Sequence, residues 1–334
     1  MLMKLVQIIL SGSVIAACLG LGGCAGVTPA EGESTADGSI TEDNPSQADP
    51  VTPSYELVAH RNLSYTLPQG VDSEFAKLDL FRMDDGETRP LVLMVHGGSW
   101  ASGDKAGFED RFVPWWIEQG YVAVPVNFRL ASRRGESPTV KPRDQVQDLA
   151  SALAWLVENS TTYGISTDRI ILLGYSSGAH LVALLGTDER FIQDVGIAEH
   201  QIQAVLSLDV HAYDVPFALD LMEGSVVEQN IPIIRHLFGD TEAEQLEGSP
   251  INYLDGWAAP AFVVSVDADP EVVGSHGYIV SQAARRYVDA LIAAGHHGRT
   301  IHDVTETHST LVGGFGEDGD STTESIVNFL AELP

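Results

Sequence analysis

Cysteine is nearly missing from this chain of 334 residues: it has two, Cys18 and Cys24, both close to the start. The stretch beyond them can therefore form no disulfide, carry no thiol nucleophile and build no cysteine metal site. A body of this size does not need a disulfide to hold its core. Lysine is scarce too, with four among 18 basic residues against 47 acids, for a net charge of −29. Such a surface repels nucleic acid and anionic lipid, so neither is expected as a partner. Residues 25–54 lack lysine, arginine and aromatic residues altogether. They are rich in Pro, Ser, Thr, Gly and acids, which cannot bury enough apolar surface to offset chain entropy, and a flexible tether is expected there. No internal repeat is present.

Residues 1–24, "MLMKLVQIILSGSVIAACLGLGGC", have one lysine followed by a long apolar run. This is the charged start and apolar centre of an export signal. Its ending, "LGGC", resembles a bacterial lipoprotein signal, which implies lipidation of Cys24 and a cell-envelope location. Cys18 in "IAAC" is a second candidate, and an uncleaved membrane anchor is the alternative. The remaining body, about 55–334, fits one α/β domain.

Within it, short apolar runs alternate with helix-period runs. Residues 90–98, 121–130, 169–178, 202–210 and 261–269 read as strands buried on both faces. Helices are expected over 108–120, 143–160, 281–295 and 321–333. The last opens on a capping box of Ser321 and Glu324. This alternation predicts a mostly parallel sheet wrapped by helices. The runs 60–67 and 75–83 have no helix between them and predict an antiparallel hairpin at one edge. No long lid insertion stands out, which argues against long-chain triglyceride as substrate.

One turn carries chemistry. "RIILL" leads into "GYSSG" and then "AHLVALLG", a strand, a tight turn and a helix, with Ser176 at the apex between Gly174 and Gly178. A Gly-x-Ser-x-Gly in that frame holds the central serine out above a sheet. Upstream, "HGGSW" (96–100) follows a predicted strand. Together these motifs resemble the α/β-hydrolase superfamily, across about 85–334. The nearest groups are carboxylesterases akin to feruloyl esterases, hormone-sensitive-lipase-type esterases and arylformamidases. The resemblance implies an α/β-hydrolase fold and a serine esterase needing neither cofactor nor metal. It implies an oxyanion hole from the backbone N–H groups of Gly97, Gly98 and Ser177, and it points to Trp100 as a substrate contact. The order Ser, acid, His then places the histidine at His308 in "TETHST". The acid falls in "SVDADPEVV" at Asp269, which matches Asp-Pro-x-x-Val, with Asp267 as the alternative.

His302 lies inside a strand run, His180 on the wall of the helix after Ser176, and His96 in the glycine loop, so all three read as structural. "GEDGDS" (316–321) lacks the spacing of a calcium loop. The expected substrate is a small-molecule or carbohydrate ester, of short-chain or aromatic acyl groups, acetyl or feruloyl among them. An arylformamidase-like amidase and a non-catalytic surface lipoprotein are the competing readings. Oligomeric state is open.

Overall fold

The computed structural model describes residues 56–132 and 139–333. The expected export signal and tether, with Cys18 and Cys24, lie outside the described residues. Eight strands form one sheet: β1 (Leu57–Ser64), β2 (Lys77–Met83), β3 (Arg89–Val95), β4 (Val122–Val126), β5 (Ile165–Tyr175), β6 (Ile202–Leu208), β7 (Ala261–Val266) and β8 (Gly298–Asp303). Their order is β1-β2-β4-β3-β5-β6-β7-β8. β1 and β2 form the expected antiparallel edge, β2 pairs antiparallel with β4, and the six strands from β4 to β8 run parallel.

The parallel strands are apolar on both faces because helices cover both. Leu91, Leu93 and Val95 of β3 enter one core with the helices Pro142–Glu158, Ser177–Leu185 and His276–Ala293. Their alternates Val92 and Met94 enter the other, with Phe112, Trp116, Phe315 and Phe329. The period of two along each strand thus divides its residues between two cores.

Three differences from expectation matter. Residues 209–260, between β6 and β7, carry the helices Val215–Met222, Ile231–Phe238 and Glu242–Glu247. An insertion at the C-terminal end of the sheet is therefore present, and lack of a lid gives no ground for excluding long acyl chains. The helix expected from residue 281 begins at His276, because the Ser275 hydroxyl caps it by accepting the Tyr278 N–H at 3.0 Å. The last helix is capped by Asp320, not Ser321: its carboxylate accepts the Thr323 N–H at 2.8 Å, and the Ser321 hydroxyl turns to Asp303. Among the described residues no helix is long and apolar enough to cross a membrane.

Candidate active site

β5 runs straight into the turn at Ser176 and out into the helix Ser177–Leu185. Ser176 has φ 55° and ψ −125°, a conformation that costs a non-glycine residue about 1–3 kcal/mol. The surroundings enforce it. The Ser176 N–H is tied to the Leu208 carbonyl at the end of β6 (2.8 Å), and the Ser176 carbonyl accepts the Ala179 N–H (2.9 Å). The bracketing glycines are needed for space. A Cβ on Gly174 would stand 2.2 Å from the Gly178 oxygen, and one on Gly178 would stand 2.1 Å from the Val95 oxygen. Strand, turn and neighbouring strand are packed backbone on backbone.

The loop after β3 lies against this turn. A Cβ on Gly97 would meet the Ser176 Cβ at 2.8 Å, so only glycine allows the backbone to come so close. Gly98, Ser99 and Trp100 follow with φ of 125°, 52° and 63°, three successive residues in the left-handed region. The N–H groups of Gly97, Gly98 and Ser177 donate to no other described residue.

Trp100 holds this loop in place. Its side chain is 5% exposed, and its indole N–H donates to His180 Nδ1 at 3.2 Å. Its carbonyl accepts the Ala131 N–H (2.7 Å) and Gln145 Nε2 (2.6 Å). Trp100 as a substrate contact is therefore corrected: the ring turns inward, edge-on to Phe238 of the 209–260 insertion at 5.4 Å. His180 accepts from Trp100 through Nδ1 and donates through Nε2 to the Gly248 carbonyl at 2.7 Å. Complete burial holds its pKa down at about 4, so it is a neutral structural imidazole. His96 stacks on Phe128 at 4.4 Å, and burial lowers its pKa too.

His308, in the loop after β8, reaches Ser176: Nε2 lies 3.0 Å from Oγ. Its Nδ1 lies 2.5 Å from Oδ2 of Asp209. With Nδ1–H donating to the carboxylate, the Nε2 lone pair faces the hydroxyl. Tyr175 steadies the histidine twice, by stacking on its ring at 4.9 Å and by donating its hydroxyl to the His308 carbonyl. The Tyr175 pKa is pushed up to about 12, by burial first and then by the charge of Asp209, so the hydroxyl remains a donor.

The acid expected at Asp269 is thus a correction. Asp269 is exposed, and it accepts only through its carbonyl, from Val272 N–H (3.0 Å) and Ser275 Oγ (2.8 Å). Asp267 does not reach His308 either; its Oδ2 lies 3.0 Å from Nδ1 of His276. The carboxylate on His308 comes from the end of β6, the strand beside β5, rather than from β7. Asp209 is fully buried, with φ 58°, and its second oxygen accepts the Val266 N–H at 3.1 Å. One signal in the sequence includes it without singling it out: an aspartate directly after an unbroken apolar strand needs a partner for its charge, and Asp267 after "AFVVSV" carries the same signal. Among the described residues no group of His, Cys, Asp and Glu is placed to hold a metal ion.

Comparison with known proteins agrees with this architecture. A family model, BD-FAE, matches residues 78–283. The chain is 29% identical over 228 residues to "Probable carboxylic ester hydrolase LipM" of Mycobacterium tuberculosis, covering 64% of this chain and 48% of that protein. It is 28% identical over 225 residues to "Esterase LipQ" of the same organism, covering 66% and 52%. The chain thus spans about half the length of these curated relatives. Among solved structures, esterase B of Lactobacillus rhamnosus superposes with a TM-score of 0.63 at 21% identity, over 82% of this chain and 85% of that one, a likeness of fold. With the eight-stranded sheet, the serine turn and the matched 78–283 segment together, the chain belongs to the BD-FAE family and has the α/β-hydrolase fold.

Proposed function

We propose that the protein is a carboxylic ester hydrolase that works through Ser176, His308 and Asp209. The observation that carries this reading is the continuous relay from Oγ through the imidazole to a buried carboxylate. A serine hydroxyl is a poor nucleophile at neutral pH until a base takes its proton. Ser176 Oγ attacks the acyl carbon as its proton passes to His308 Nε2, and Asp209 stabilises the imidazolium. The oxyanion receives the N–H groups of Gly97, Gly98 and Ser177. Each such donor typically contributes about 10²–10³ in rate. Collapse breaks the C–O bond, and His308 gives its proton to the departing alcohol. Water, deprotonated by the same imidazole, then attacks the acyl-serine, releasing the carboxylic acid and restoring Ser176.

The substrates are short-chain or aromatic acyl esters, acetyl or feruloyl esters of polysaccharide among them. The motif resemblance and the relatives' names as esterases support this. The N-terminal segment adds export and lipid attachment at Cys24, which is tested by fatty-acid labelling of the wild-type chain against Cys24→Ser. For the chemistry, a fluorophosphonate probe labels the wild type, and both labelling and 4-nitrophenyl acetate hydrolysis vanish in Ser176→Ala with the fold retained. Full activity in that variant overturns the assignment. Labelling-negative folded wild type favours a non-catalytic surface protein, and faster turnover of N-formyl anilides than of esters favours the amidase. A nitrophenyl ester series from acetate to decanoate is expected to peak at the short end.

A further inference from the structure

A second imidazole–carboxylate pair stands beside the first and takes no part in the relay. Asp267, at the end of β7, is held at every polar atom. Its N–H donates to the Glu306 carbonyl (3.0 Å), and its own carbonyl lies 2.9 Å from Nε2 of His302. Its Oδ1 accepts the Ala268 N–H (3.0 Å), and its Oδ2 takes Nδ1 of His276 (3.0 Å). Its φ of 92° is a strained conformation for a residue with a side chain. The helix that carries His276 is seated on the same loop: a Cβ on Gly277 would stand 2.2 Å from the Ala268 oxygen. Position and ring orientation of His276 are therefore both fixed.

With Nδ1–H donating to Asp267, the atom left open is the Nε2 lone pair, for which no described residue supplies a donor. Both side chains of the pair are about a third exposed (31% and 33%). The His276 ring centre lies 6.3 Å from that of His308, edge-on at 82°. In the hydrolysis derived above, His308 hands its proton to the departing alcohol, so that alcohol lies against His308. At a ring separation of 6.3 Å, an acceptor on His276 is within the span of a hydroxyl one or two carbons from the ester oxygen. His211 is close to both rings. Its Nε2 is buried without a partner, and burial together with the nearby His276 and His308 keeps the ring uncharged. The net charge of −29 disfavours an anionic group here, whereas a neutral hydroxyl meets no such field.

We propose that His276, positioned by Asp267, is a specificity-determining residue that accepts a hydrogen bond from a hydroxyl on the alcohol side of the ester, so that esters of polyhydroxylated alcohols are preferred. The proposal rests on the hydrolase reading.

The test uses two esters with the same acyl group, glycerol 1-acetate and propyl acetate, and reads the ratio of their kcat/KM values. The wild type is expected to favour the glycerol ester. His276→Ala lowers the ratio by about three- to tenfold, the size of one neutral hydrogen bond. His276→Gln, whose amide oxygen can accept in place of Nε2, restores part of it. Asp267→Asn lowers the ratio by loosening the ring. A wild type without preference, or a ratio unmoved in His276→Ala because both esters lose equally, overturns the proposal. If His276→Ala does not fold, an unmoved ratio in both His276→Gln and Asp267→Asn overturns it. These failures are separate from failure of the hydrolase reading, which would appear as no Ser176-dependent turnover of 4-nitrophenyl acetate.

Discussion

Replacing Asp209 by asparagine tests where the carboxylate of the relay resides. Both oxygens of this fully buried side chain are in use, one on His308 Nδ1 at 2.5 Å and one on the Val266 N–H at 3.1 Å. An asparagine has one oxygen and one NH2. Facing the NH2 towards Val266 would set donor against donor in a buried site, so the oxygen stays there and the NH2 meets His308. The imidazole must then accept through Nδ1 and carry its proton on Nε2, where it can no longer take the proton of Ser176. The ion pair that stabilises the imidazolium is lost in the same step. Together these cost about 10³–10⁴ in kcat, or about 4–5 kcal/mol. The assay is steady-state hydrolysis of 4-nitrophenyl acetate by wild type, Asp209→Asn and Asp269→Asn, with thermal melts to establish folding. Asp269→Asn is expected within about twofold of wild type, since only its backbone carbonyl is engaged. Folded Asp209→Asn within tenfold of wild type refutes the reasoning. So does Asp269→Asn with the larger loss.

Gly178→Ala drives a Cβ to 2.1 Å from the β3 backbone, which cannot yield as a side chain tip could, and a loss of more than about 3 kcal/mol is expected in denaturant melts. Trp100→Phe keeps the contacts with Phe238 but leaves Nδ1 of His180 buried without a donor, at about 1–3 kcal/mol. Its kcat should fall more than its KM rises, because in the proposed mechanism the loop it anchors supplies donors to the oxyanion rather than to the ground-state substrate. Acid should weaken the fold through His180, whose pKa is about 4 when folded against about 6.5 when unfolded. The unfolded chain binds the extra proton between those values. Stability from this residue is therefore complete above pH 6.5 and falls by about 3 kcal/mol as pH drops to 4. His180→Asn should show a shallower fall in melting temperature between pH 7 and 4.5 than wild type; equal slopes would exclude His180 as a source.

Much of this protein is legible in its local chemistry. Apolar runs such as "PLVLMV" and "RIILL" can satisfy themselves only as strands buried on both faces, and that dictates helices on either side of a parallel sheet. The "GYSSG" turn needs its two glycines for steric reasons that act within five residues, and "HGG" needs its own for close approach to a neighbouring backbone. Ser176 follows from such a local frame, and His308 from the chain order that the family resemblance implies. The carboxylate does not. Asp209, Asp267 and Asp269 each follow a strand, and in one dimension their surroundings are alike. Which of them meets His308 depends on strand order, because β6 lies next to the strand bearing Ser176 while β7 lies one strand further out. Burial of Trp100 is hidden in the same way, since its partners His180, Phe238 and Gln145 come from three separate segments. The sheet, the serine turn and the glycine loop can be read from the chain alone, since interactions between near neighbours set all three. Which aspartate meets His308, and which histidine stands beside it, emerges only when the strands assemble, because those pairings are made by neighbouring strands rather than neighbouring residues.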